Sequence, residues 1–327
     1  MRRRITWVVL AAVAVIGAAA AFDAVRAAEE DRPAAPAEST AESVPLDLVG
    51  VLYYTDENCE PRALRFPSLE LADAPDAVDC GFGDAVWDSQ RANAASETQG
   101  AITVSVDGPS VSFLGSAPAF RRDGTLTFVR DGALRMLLLD PECLRLDEPV
   151  QFVGDEVIDR CSRVLLRAGY VRRLAILHPN APGDLSELQS VTVKEHSWLD
   201  TERLVLLLAF NVRGVRRFEQ VVVLEGTRVV DWVPVYNGRL SDLRVSPRGR
   251  YFAVMSVDPE QVRLFDRDGK VLPIPPLTGA HAVAWSPSGN WTAVAADADV
   301  YVFRTGAPNT QVRRLGIRAG DIAWRLS

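Results

Sequence analysis

From residue 48 onward the apolar residues come in short alternating runs, separated by Gly, Pro, Asn, Asp and Ser. This is the pattern of half-buried β-strands joined by turns. Two segments depart from it. Ser162–Leu177 (SRVLLRAGYVRRLAIL) places leucines and arginines at mixed helical spacing, and the pattern predicts one helix ending at His178-Pro179, because a proline disfavours helix at the residue before it. Ile5–Phe22 carries no charge and follows Arg2, Arg3 and Arg4. A helix of that length spans about 27 Å, just short of a hydrocarbon core. The basic flank predicts a single-pass anchor over residues 1–22, with the rest of the chain extracytoplasmic. The alternative is a signal segment cleaved before Ala28, which would leave a secreted protein. Residues 23–47, rich in Ala, Glu, Pro and Ser, read as a flexible linker.

The β-rich part repeats itself. Leu240–Leu272 and Ala280–Gly306 align, each running from an apolar strand through a Ser-Pro-x-Gly turn to an alternating strand, a polar turn and a strand ending in Phe265 or Phe303. The repeat-defining residues are Ser246, Pro247 and Gly249 in one copy and Trp285, Ser286, Pro287 and Gly289 in the other. Proline presets φ for the turn and glycine allows positive φ. A weaker copy, Pro118–Asp140, has Arg122-Asp123-Gly124 at the turn, and Asp321–Trp324 (DIAW) echoes His281–Trp285 (HAVAW).

These residues resemble a WD-repeat or TolB-like β-propeller blade, closely over about 240–327 and in part over about 116–148. The Trp-Asp dipeptide of the WD family is missing at the strand ends, and Asp231-Trp232 has the reverse order. The resemblance implies an all-β chain of about six four-stranded blades, since each blade takes about 40–45 residues. The expected map has a shared blade at 48–72 plus 321–327, then blades at about 79–115, 116–150, 189–233, 240–275 and 280–316. Trp324 would lie on the one strand that the C-terminus lends to the first blade, which leaves no long open edge.

Charge and cysteine content refine this picture. The formal charge is −7 from 36 basic and 43 acidic residues, a balance that argues against nucleic acid as a partner. Only Lys194 and Lys270 are lysines, so the remaining basic residues are arginines, an excess that reads as codon bias or as anion binding. Cys59, Cys80, Cys143 and Cys161 all follow the apolar segment. Four cysteines in an oxidising compartment point to two disulfides with three possible connectivities. Sequence neighbours, Cys59–Cys80 and Cys143–Cys161, would close loops of about 20 residues.

Catalytic signatures are not found: there is no G-x-S-x-G elbow, no phosphate-cradling glycine loop and no HExxH. Asp266-Arg267-Asp268-Gly269 and Asp297-Ala298-Asp299 read as hairpin turns rather than calcium ligands. His281, just ahead of an inner strand, is either an ordinary polar residue at a blade start or a group facing the channel. Trp87, Trp198, Trp232, Trp285, Trp291 and Trp324 read as packing between blades. No cofactor or metal is expected. The reading that emerges is a monomeric, membrane-tethered ring that binds an unidentified protein or small ligand at a propeller face. The alternative is a channel-centred hydrolase or lyase, possibly calcium-dependent, marked by three or more polar groups converging at one channel mouth.

Overall fold

A computed structural model describes residues 48–74, 86–87, 93–106, 110–138, 150–177, 188–213, 218–234, 239–297, 299–307 and 312–326. The anchor and linker expected over residues 1–47 lie outside these. Among the described residues, no helix is long and apolar enough to cross a membrane.

The strands form six sheets, each a blade. Blade 1 runs β25 (Ile322–Arg325), β1 (Gly50–Thr55), β2 (Pro61–Phe66), β3 (Glu70–Ala72). The C-terminal strand pairs antiparallel with the N-terminal one, Leu52 opposite Trp324 and Tyr54 opposite Ile322, so the two ends of the chain do share a blade. Blade 4 is β13 (Leu188–Trp198), β14 (Arg203–Val212), β15 (Phe218–Glu225) and β16 (Arg228–Val233). Blade 5 is β17 (Leu240–Val245), β18 (Tyr251–Val257), β19 (Glu260–Asp266) and β20 (Val271–Leu272). Blade 6 is β21 (Ala282–Trp285), β22 (Trp291–Ala296), β23 (Asp299–Arg304) and β24 (Arg313–Arg314).

Blades 2 and 3 correct the expected map. Blade 2 has five strands: β4 (Val86–Trp87), β5 (Asn93–Thr98), β6 (Ala101–Val106), β7 (Ser110–Leu114) and, parallel on its outer edge, β11 (Val150–Phe152). Blade 3 is β8 (Ser116–Phe120), β9 (Leu126–Arg130), β10 (Ala133–Leu137) and β12 (Ser162–Leu166). The chain thus leaves blade 3 before its last strand, covers the edge of blade 2 with β11, makes helix α1 (Asp155–Cys161), and returns. Ser162–Leu177 is therefore not one helix: its first five residues are the outer strand of blade 3, paired with β10, and only α2 (Ala168–Leu177) is helical. Leu166 faces the core, as do Val171 and Leu174 of α2. Gly169 falls in the first turn of α2, where its helix-interior cost is small.

The apolar residues gather in five clusters, each filling a seam between consecutive blades. Alternate residues of one strand go to opposite seams. On β14, Leu204, Leu206 and Leu208 pack toward blade 3, while Val205 and Leu207 pack toward blade 5. On β22, Trp291, Ala293 and Ala295 face blade 1, and Val294 and Ala296 face blade 5. With both sheet faces covered, these strands read as continuous apolar runs rather than strict alternation. Each fully buried Leu, Val or Phe contributes about 1.5–3 kcal/mol.

Cys59 and Cys161 are both disulfide-bonded, while Cys80 and Cys143 lie outside the described residues.

Candidate functional site

The turns that follow the innermost strands lock onto one another along one rim of the ring. In blades 5 and 6 the Ser-Pro-x-Gly motif works the same way. The Ser246 and Ser286 hydroxyls accept the N–H of Tyr251 and Trp291 at 3.1 and 3.0 Å, and their carbonyls accept the N–H of Gly249 and Gly289 at 2.7 Å. Both glycines have positive φ, 58° and 70°. A Cβ on Gly249 would lie 1.6 Å from the carbonyl oxygen of Leu199, in the blade 4 turn. One on Gly289 would touch Ser246 and Pro247, and one on Gly50 would lie 3.1 Å from Pro287. The repeat residues are thus blade-to-blade contacts. Trp285 and Trp324, six and eight per cent exposed, fill the seams beneath these turns.

Arginines tie the same rim together. Arg121 donates to the Thr201 carbonyl, Arg267 to Asp200 at 2.5 Å, and Arg203 to Asp268 at 2.5 Å. Asp266 accepts the N–H of Asp268 and Lys270 at 3.0 and 2.9 Å, so Asp266-Arg267-Asp268-Gly269 is a hairpin turn, with Gly269 at φ 89°.

Farther in, polar side chains stitch several of the seams. Glu97 of blade 2 accepts the N–H of Ala117 on β8 at 2.6 Å. On β17, Asp242 has a φ of 53° at a bulge, so successive N–H groups converge into an anion-binding concavity. Glu195 of blade 4 fills it, accepting Asp242 N at 3.1 Å and Leu243 N at 2.6 Å. Burial pushes the Glu195 carboxyl above the usual carboxylate range, and the Leu243 N–H draws it partly back. Arg244 meets Asp242 at 2.5 Å. Burial works against its charge, but Asp242, Asp321 and Glu195 outweigh that and keep the guanidinium protonated. Its side chain keeps 39% of its surface open to water.

Lys194 and Glu219, a pair at 3.1 Å, grip the peptide of Leu240 as the chain enters blade 5. The ammonium donates to the Leu240 carbonyl at 2.6 Å and the carboxylate accepts its N–H at 2.5 Å. Lysine suits this spot, where a compact ammonium with three donors has two partners. Asp299, one per cent exposed, plays a matching part after blade 6, accepting Ile317 N at 3.0 Å and Arg314 at 2.5 Å. His281 bridges the same seam, its ring nitrogens 2.8 Å from the carbonyls of Gly279 and Ala319. It is thus a tie between chain segments.

Between blades 3 and 4, Thr127 donates to the Ala119 carbonyl at 2.9 Å. Having given its one hydrogen, the hydroxyl accepts from Trp198 Nε1 at 2.9 Å and from His196 Nε2 at 2.8 Å. His196 is therefore the Nε2–H tautomer, with Nδ1 buried and, among the described residues, unpartnered. Burial pulls its pKa down to about 3.

Trp291 is buried with Trp285 and Trp324, and among the described residues the indole N–H of all three lacks a hydrogen-bond partner. Trp198 and Trp232 are half-buried against the seam between blades 3 and 4, and the side chain of Trp87 lies outside the description. Among the described residues, no three His, Cys, Asp or Glu side chains converge as metal ligands would. Glu97, Lys194, Glu195, His196, Glu219, Asp242 and Arg244 had escaped the sequence reading. The rarity of lysine was the signal available for Lys194.

Six sheets in which the last strand completes the first blade have the architecture of a β-propeller. Among solved structures it is similar to the β-propeller domain of Cps50 (Swd1) from Myceliophteria thermophila, at 11% identity over 76% of this chain and 92% of that one, with a TM-score of 0.39. No protein-family model matches the chain, and no curated relative does.

Proposed function

We propose that this chain is a membrane-tethered, extracytoplasmic, non-enzymatic propeller that binds a partner through one of its turn faces. The observation that carries the reading is the state of the inner ring. Glu195 holds two backbone N–H groups, Lys194 and Glu219 hold Leu240, and Arg244 holds Asp242, so these groups are engaged in structure. The turns remain, and a rigid ring presenting variable turns binds without catalytic residues. The disulfide-bonded state of Cys59 and Cys161 supports an oxidising compartment, and pairing of sequence neighbours, Cys59–Cys80 and Cys143–Cys161, fits two short loops. The charge-free Ile5–Phe22 segment supports the tether.

One observation favours channel-centred chemistry instead: Glu195, Asp242 and Asp321 surround Arg244. Crosslinking and pull-down from native membranes separates the two readings. A partner captured by the wild type, and captured equally by Glu195→Gln, supports the binding module. An empty pull-down together with metal-dependent turnover of lactones or sugars that Glu195→Gln abolishes overturns it.

A further inference from the structure

His281 stands where the chain enters blade 6, between Ala280 and Ala282, one and four per cent exposed. Its backbone N–H donates to the Ala295 carbonyl at 3.0 Å, so the backbone that carries the ring is held in place. The ring itself meets two oxygens. Nδ1 lies 2.8 Å from the Gly279 carbonyl and Nε2 lies 2.8 Å from the Ala319 carbonyl. A carbonyl only accepts hydrogen bonds, and a neutral imidazole carries a single N–H. Both contacts are hydrogen bonds only in the imidazolium, which donates from both nitrogens. In the neutral ring one nitrogen would turn its lone pair on a carbonyl oxygen. His196 differs, because its Nε2 meets a hydroxyl and a single N–H satisfies it.

Ala319 belongs to the segment that delivers the closing strand. Beside it, Gly320 N–H donates to the Thr55 carbonyl at 2.8 Å, Asp321 N–H to the Thr55 hydroxyl at 3.0 Å, and Thr55 N–H to the Asp321 carbonyl at 3.1 Å. One residue later β25 begins its pairing with β1. His281 thus reaches from the entry of blade 6 to the point where blade 1 is completed. The elements packed around it carry several charged groups. Asp299 on β23 is paired with Arg314, and Arg318, just before Ala319, is paired with Glu57. Arg244 on β17 is paired with Asp242 and also feels Asp321. Asp297, in the turn after β22, sets its carboxylate where a Cβ on Gly279 would lie. It is exposed and, among the described residues, has no ion-pair partner, so its charge complements an imidazolium.

We propose that His281 is a proton-dependent latch on ring closure. The imidazolium clasps the Gly279 and Ala319 carbonyls together, and loss of one proton releases one of them and loosens the segment that delivers β25. Histidine is the side chain whose charge ordinarily changes between about pH 5 and 8. The latch is therefore fully engaged in the acid part of that range and is lost as pH rises. His196 acts in the opposite direction and in the seam between blades 3 and 4, so a probe local to residues 319–321 separates the two. The latch is independent of the tether and of any partner.

The test uses the full chain with nitrogen-15 in its histidines and needs no ligand. The ring nitrogen shifts, read through the ring C–H protons and assigned by their loss in His281→Gln, report which nitrogens carry hydrogen. At about pH 7, where an ordinary histidine is mostly neutral, both nitrogens of His281 should still carry one. Amide exchange is expressed as protection factors, so that the intrinsic pH dependence of exchange cancels. Between about pH 6 and 9, Thr55, Gly320 and Asp321 should lose about five- to tenfold in protection, while Gly249 and Tyr251 in the blade 5 turn keep theirs. His281→Gln, whose amide donates to one carbonyl only, should show the lower protection at every pH. A bare ring nitrogen on His281 at about pH 7, protection at these amides that ignores pH, or the same fall persisting in His281→Gln overturns the latch. Should the variant fail to fold, the titration of the wild-type ring, assigned by elimination, still decides.

Discussion

Gly249 and His196 show how single positions bear on the seams. Gly249 combines a positive φ with a Cβ site 1.6 Å from a backbone oxygen, so Gly249→Ala must displace the blade 4 turn as well as strain its own backbone. Gly100 has a φ of 78° with nothing within 4 Å, so Gly100→Ala bears strain alone, about 1 kcal/mol. Urea unfolding should show Gly249→Ala costing more than about 3 kcal/mol and Gly100→Ala far less. His196 stays neutral in the folded chain down to about pH 3, whereas an ordinary histidine takes up a proton near 6.5. Between those values the unfolded chain binds more protons, so the stability His196 contributes is fully present above about pH 6.5 and falls as pH drops, by up to about 1.4 kcal/mol per pH unit. In His196→Gln, whose amide can still donate to Thr127, the fall across this window should be shallower. Denaturant midpoints between about pH 4 and 7 check it, and parallel curves for the two proteins would refute it. The Ser-Pro-x-Gly residues were legible because turn chemistry is local. His196 and Glu195 were not, because their partners, Thr127 and the Asp242–Leu243 peptide, come from neighbouring blades.

At the scale of strands, Lys194 and Glu219 fix where blade 5 begins. Glu219→Ala leaves an ammonium and the Leu240 N–H without their anion, and should cost about 2–4 kcal/mol. Replacing both partners, as Lys194→Met with Glu219→Leu, should cost less than Glu219→Ala alone, because no buried charge is stranded. A double-mutant cycle in urea measures the coupling. The repeat made β17–β19 and β21–β23 legible, since a Ser-Pro-x-Gly turn between apolar runs announces two strands and their register. It failed at Ser162–Leu177 for a physical reason. Val164 is exposed and Leu166 buried because a bulge opposite Leu134 and Arg135 breaks the alternation, so the short strand shows no period of two and its leucines merge with those of α2. The parallel strand β11 was hidden because three residues pair with a strand about forty positions earlier, and nothing local marks such a pairing.

For the whole molecule, the shared blade was the most legible feature, because Asp321–Trp324 repeats the inner-strand pattern of His281–Trp285. Deleting residues 319–327 removes β25, and with it the cover over Leu52 and Phe66 and one of the two carbonyl partners of His281. The truncated chain should be insoluble or cut rapidly by limited proteolysis, and a soluble truncation with unchanged melting would sink the closure. The arrangement also has a mechanical side. β1, the first strand among the described residues, is bonded on both flanks, to β25 and to β2. A pull on the N-terminal end therefore does not peel an edge strand one bond at a time. It shears two ladders at once, so an outward pull on β1 is resisted by the closure of the ring as well as by the hairpin that follows.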